Sequence, residues 1–250
     1  MPILQQQRSD MASLLAYLEG VVLLTVRTMA DYRTTFNPAT GEHIQFLVTG
    51  LESQGALVRY RWVSDAGGSI VAHTHPCSAE VFTIIDGEST FTVEGEQVVL
   101  TAGQTVVVPP GVVHSQANTS GRCVRGIVEL TPASRTDELH DVLAGISTDL
   151  PHTRAGAPRN PLQLGATFWA FRRDIRATAP PLWLQNIMLP VLAGAAGIAG
   201  VSATRAAWSS RLAPDEIAPD SLFDESEFLS ALAQAGYTFD LHAPRPLVAS

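Results

Sequence analysis

Two histidines and a glutamate are spaced for chelation in the stretch Gly67 to Gly87, which reads G-G-S-I-V-A-H-T-H-P-C-S-A-E-V-F-T-I-I-D-G. His73 and His75 are two apart, so on a strand both side chains point to one face. Glu80 follows a short turn containing Pro76 and can return to that face. Two imidazoles and a carboxylate suit a borderline divalent metal such as Mn, Fe, Co, Ni, Cu or Zn. Farther on, Gly103 to Asn118 reads G-Q-T-V-V-V-P-P-G-V-V-H-S-Q-A-N. Its Pro110-Gly111 turn re-enters a strand that can place His114 opposite the first three ligands. Three neutral imidazoles and one carboxylate leave about one net positive charge on a divalent ion, a centre that favours an enolate, carboxylate or phenolate oxygen.

Such residues need a stiff frame, and the surrounding pattern predicts one. Short runs rich in β-formers recur: 44–48, 57–63, 80–85, 89–93, 97–100, 105–108 and 122–130. Asp86-Gly87, Glu94-Gly95, Ala102-Gly103, Pro110-Gly111 and Ser120-Gly121 punctuate them as turns. Regularly spaced short strands imply a sandwich or barrel.

The two stretches together resemble the paired motifs of the cupin superfamily. The first fits G-x5-H-x-H-x4-E-x6-G through Gly67, His73, His75, Glu80 and Gly87. The second fits G-x5-P-x-G-x2-H-x3-N through Gly103, Pro109, Gly111, His114 and Asn118. The resemblance covers about residues 43 to 130. The flanking patterns read as a helical N-terminal segment over 1–35 and a helical C-terminal extension over 133–250, while the resemblance implies a mainly β chain with a single jelly-roll barrel over 36–132. It also implies one divalent transition metal (Fe, Mn, Ni, Zn or Cu) bound by His73, His75, Glu80 and His114, and a homodimer. The glycines read as turn formers, and Asn118 as a turn or supporting residue rather than a ligand. Cys77 reads as a bystander near the ligands. A weaker resemblance, through Asn160-Pro-Leu-Gln-Leu164 and the apolar tail, is to single-barrel actinobacterial cupins, some akin to accessory enzymes of secondary metabolism.

Four candidates surround the metal. Phe82 shares a face with Glu80, and Gln116 with His114, where it either bonds a metal-bound ligand or sits at the barrel mouth. In 57–63, Tyr60 and Trp62 occupy one face and Arg59 and Arg61 the other. Base rates put the arginines in solvent and the aromatics inside.

Beyond Leu130 the periodicity becomes helical. Ser134 is a candidate cap, followed by Leu139, Val142, Leu143 and Ile146. Residues 148–160 read as a linker, and Asn160-Pro161 opens a second helix with Leu164, Phe168, Phe171 and Ile175 on one face. A last helix is expected from Asp224 to Gly236, and an amphipathic one over 11–30, with Met29 as an alternative start. Positions 177–204 carry no charged residue. Residues 182–203 therefore read either as a membrane-contacting segment or as a helical pair buried against the barrel or a second copy. Pro180, Pro181 and Pro190 break the run.

Composition narrows the function. The net charge is −8 and no basic cluster stands out, which argues against nucleic acid. All sixteen basic residues are arginine, so lysine Schiff-base chemistry is excluded. The two cysteines form no C-x-x-C pattern, which fits a reducing cytoplasm. The expected activity is that of a metal-dependent enzyme on a small enolizable, phenolic or carboxylate substrate, foremost an oxidoreductase of dioxygenase type. The alternatives are a redox-neutral isomerase, cyclase, lyase or decarboxylase, and a non-catalytic small-molecule binder.

Overall fold

The computed structural model describes residues 33–209. The helices expected over 11–30 and 224–236, and the alternative start at Met29, lie outside the described residues. The fold is mainly β and consists of two antiparallel sheets closed face to face as a jelly roll. One has the order β1-β2-β3-β10-β5-β8. Its strands are β1 (Thr34–Asn37), β2 (Glu42–Val48), β3 (Val58–Ser64), β10 (Val124–Thr131), β5 (Ala79–Asp86) and β8 (Thr105–Val108). The other has the order β11-β4-β9-β6-β7. It is built from β11 (Arg176–Ala177), β4 (Ser69–Thr74), β9 (His114–Ala117), β6 (Glu88–Val93) and β7 (Glu96–Thr101).

The period-two pattern is realised as burial. Ile44, Phe46, Tyr60, Trp62, Phe82, Ile84, Phe91 and Val128 pack into one cluster between the sheets. Gly87 shows why a motif glycine is needed: its φ is +86°, and a Cβ there would also press on the Cys123 carbonyl at 3.2 Å. Asn118 ties two loops together, its amide donating to the carbonyls of Ser64, Asp65 and Arg122 at 3.0, 2.8 and 2.7 Å.

One expectation about β3 is overturned. Tyr60 and Trp62 do face inward, but Arg59 and Arg61 are both 0% exposed rather than in solvent. Arg59 donates to the Glu129 carboxylate from Nη2 at 2.7 Å and Nε at 2.8 Å, and Arg61 Nη1 donates to Gln45 Oε1 at 2.7 Å. A guanidinium leaves water only when cross-strand partners replace its hydration. Those partners, on β10 and β2, become neighbours only once the sheet has formed.

The C-terminal extension begins with α1 (Thr136–Asp149). Ser134 is not its cap. It adopts φ +47° two residues upstream, and the cap position falls on Arg135, whose backbone N–H donates to Asp174 Oδ1 at 2.7 Å. The second helix, α2 (Pro161–Ala170), starts as its sequence dictates: Pro161 is in the first turn and the Asn160 side chain accepts from the Leu162 N–H at 2.9 Å. Then come α3 (Leu182–Ile198) and α4 (Ala206–Ser209). Leu139, Val142 and Ile146 of α1 form a second core with Phe171 and Trp208. A Cβ on Gly165 of α2 would lie 2.2 Å from Leu192 Cβ, which measures how closely α2 and α3 approach.

The uncharged run thus forms one helix packed on α2, not a helical pair against the barrel. Its seventeen residues span about 25 Å, and among the described residues no helix is long and apolar enough to cross a membrane. Its interior polar residues are anchors: Gln185 donates to the carbonyls of Ala177 and Pro180, and Asn186 accepts from Arg176. Trp183, Ile187, Val191 and Ile198 remain exposed along it.

Candidate metal centre

Two sheets share the ligands. His73 and His114 are cross-strand partners on β4 and β9, and His75 follows β4 by one residue. Glu80 lies on β5 in the opposite sheet, so the carboxylate, rather than His114, is the residue that faces the others across the barrel. All four are buried, and their ligand atoms lie within 4.8 Å of one another. His73 Nε2 is 3.1 Å from His75 Nε2, while Glu80 Oε2 is 2.7 Å from His114 Nε2 and 3.3 Å from His75 Nε2. Ligands about 2.1 Å from a common ion stand roughly 3.0 Å apart when adjacent in an octahedron.

The outer nitrogens decide what the inner ones can do. His73 Nδ1 meets the Val71 carbonyl at 2.9 Å, His75 Nδ1 the Asp174 carbonyl at 2.6 Å, and His114 Nδ1 the Val112 carbonyl at 3.1 Å. A carbonyl only accepts, so each Nδ1 carries the proton and each Nε2 presents a lone pair. Three lone pairs and a carboxylate oxygen converge on one point, which calls for a cation between them. The group could therefore hold a metal ion, and this donor set fits a divalent transition metal. Without an ion between them, the electrostatics divide the imidazoles. Burial, then the neighbouring His75 and His114, pushes His73 down to about 3. Burial opposes a charge on His75, but the Glu80 carboxylate beside it prevails and raises its pKa. Burial likewise opposes the Glu80 anion, yet the adjoining imidazoles hold it well below the usual range.

A cavity of about 240 Å³ opens on this cluster. At ~30 Å³ per water it holds roughly eight waters, or a molecule the size of one substituted ring. From the barrel come Glu42, Tyr60, Ile70, Val71 and Phe82; from the extension come Leu139, His140, Leu143, Phe168 and Ile175. The extension is thus a wall of the site. It also contributes β11, which pairs with β4 beside His73, and the Asp174 carbonyl that orients His75.

Of the four pocket candidates, Tyr60 and Phe82 line the cavity. Trp62 stands behind it, its indole N–H donating to Glu42 Oε1 at 3.0 Å. Gln116 does not line the cavity, and its amide donates to Ser89 Oγ at 2.7 Å. Cys77 is exposed. Sequence reading missed His140 and Glu42. No spacing links either to the ligands, although His140 lies on the same helical stripe as Leu139 and Leu143.

A jelly roll with three histidines and a glutamate pointing inward defines a β-barrel whose interior could hold a metal ion. Residues 60–128 match the model of the family described as cupin domain, and this part of the chain is a cupin domain. No protein of curated function matches the chain. Among solved structures it is similar to an RmlC-like cupin from Shewanella frigidimarina, at 22% identity over 45% of this chain and 95% of that one, with a TM-score of 0.37. It is also similar to a protein described as a predicted oxalate decarboxylase from Thermotoga maritima, at 19% identity over 43% and 99%, with a TM-score of 0.39. A third is a double-stranded β-helix protein from Klebsiella pneumoniae, at 21% identity over 44% and 91%, with a TM-score of 0.36.

Proposed function

We propose that this chain is a metal-dependent enzyme acting on one small, largely apolar organic molecule, with dioxygen chemistry as the leading reading. The observation that carries it is the junction of a buried four-ligand cluster with a largely apolar cavity sized for a single ring. A divalent ion bound by His73, His75, Glu80 and His114 would supply positive charge to an anionic oxygen and, if redox-active, a path to O₂. The protein's own contributions are distinct from that. Ile70, Val71, Phe82, Leu143 and Phe168 exclude water and orient an apolar body. Carbonyls at Val71, Val112 and Asp174 hold the imidazoles in one tautomer, so no ligand has to reorganise when the ion or substrate arrives.

A redox-neutral isomerase, lyase or decarboxylase is the second reading, favoured by an imidazole in the cavity that is not a ligand, His140. The test begins with elemental analysis of the purified protein. About one transition metal per chain is expected, and a metal-free native protein would end both readings. An oxygen electrode with small phenols and enolizable ketones then separates them: O₂ uptake supports the first, turnover without uptake the second. Binding of such compounds without turnover would leave a non-catalytic binder.

A further inference from the structure

His140 is set into the cavity by α1, outside the barrel that holds every ligand. Its ring stands edge-on to Tyr60, with centroids 5.1 Å apart, and tilted to Phe46 at 6.3 Å. The imidazole makes no hydrogen bond to any described residue, and neither does the Tyr60 hydroxyl. A polar ring without partners in an apolar chamber is costly unless something that enters the chamber completes it.

From this geometry we infer that His140 is the proton acceptor for a neutral enol or phenol substrate, which gives up its O–H proton to the free ring nitrogen. The inference rests on the proposed metal-dependent reading and narrows its substrate class. A cationic centre prefers an oxyanion, but carrying an anion into an apolar chamber is far costlier than carrying its neutral acid. The acid must then lose its proton inside. Glu80 is committed as a ligand. Glu42 is already engaged by the Trp62 indole N–H, which occupies one of its carboxylate oxygens, although burial raises its pKa. Burial, with Glu80 and Glu42 nearby, lifts Tyr60 well above its ordinary value, which makes it a donor and not a base. His140, held neutral by burial with a pKa near 4, has a lone pair to offer. In the step the substrate O–H bond breaks, its electron pair stays on oxygen, and the proton goes to His140. The imidazolium faces the new anion, which offsets the burial that otherwise forbids its charge. Carboxylic acids are excluded as the natural substrate class, because they arrive already ionised and need no acceptor.

The probe is 4-nitrophenol, whose anion absorbs where the neutral form does not. Zinc-loaded protein avoids redox chemistry. Wild type should bind the probe and shift it to the anion at a pH where the free phenol is mostly neutral. His140→Phe should load zinc equally but bind at least tenfold more weakly or leave the bound probe neutral. His140→Gln, which retains a hydrogen-bonding group and guards against a packing defect in the Phe variant, should bind it without ionising it. Equal ionisation by the variants overturns the inference, as does failure of zinc-loaded wild type to bind the probe. Failure of wild type to take up metal would instead strike the underlying reading.

Discussion

At the scale of single residues, the cluster is defined less by four side chains than by the three carbonyls behind them. Each carbonyl fixes which ring nitrogen is bare, and only then do the ligands point as acceptors toward a common centre. His140 makes a separate and measurable signature. Its folded pKa of about 4 lies below the ordinary 6.5, so its contribution to stability is complete above pH 6.5. As pH falls toward 4, the unfolded chain takes up a proton that the folded one refuses, and stability is lost. Glu80 across the cavity works against this depression, while His75 and Arg33 reinforce it. Denaturant titrations should show wild type losing on the order of 3 kcal/mol relative to His140→Phe between pH 6.5 and 4. Parallel pH profiles for the two proteins would refute the assignment.

Elements show what sequence could and could not reveal. His73, His75 and Glu80 were legible because their spacing is local and the strand period carries them to one interior, and His114 because its own stretch fits the second motif. The Asn160-Pro161 start of α2 was legible for the same reason. The roof was not, since Leu139, His140, Phe168 and Ile175 meet the ligands only through packing between segments far apart in the chain. The burial of Arg59 was hidden likewise, because Glu129 lies seventy residues away. The start of α1 is another long-range product: Asp174 accepts from the Arg135 N–H, and its own carbonyl holds His75. Asp174→Ala should therefore cost about 1 kcal/mol and weaken metal affinity by about tenfold, as competition with a chromogenic chelator would measure. An unchanged affinity would mean that the backbone alone fixes that carbonyl. Between α2 and α3, Gly165→Val must push Leu192 away. Urea midpoints should report a loss of about 1–3 kcal/mol, since overpacking displaces the backbone.

At the scale of all the described residues, the barrel and the extension line one cavity together. The barrel supplies all of the ligands, and the extension supplies half of the chamber, one strand and one carbonyl that orients a ligand. An ion bound only by the folded chain stabilises it by mass action, about 4 kcal/mol at a thousand times the dissociation constant. Removing metal with a chelator should lower the melting temperature by about 10 °C, and adding back one equivalent should restore it. A melting curve indifferent to chelation would place the ion outside the folded core.

The short strand β11 has a bearing on handling the protein in the laboratory. By hydrogen-bonding to β4, it occupies the border of the ligand-bearing sheet, which would otherwise present bare amides and carbonyls to other molecules. A minimal version trimmed after residue 132, at the end of the recognisable motifs, would strip that border. It should clump through intermolecular strand pairing, whereas a version ending beyond residue 209 should stay dispersed.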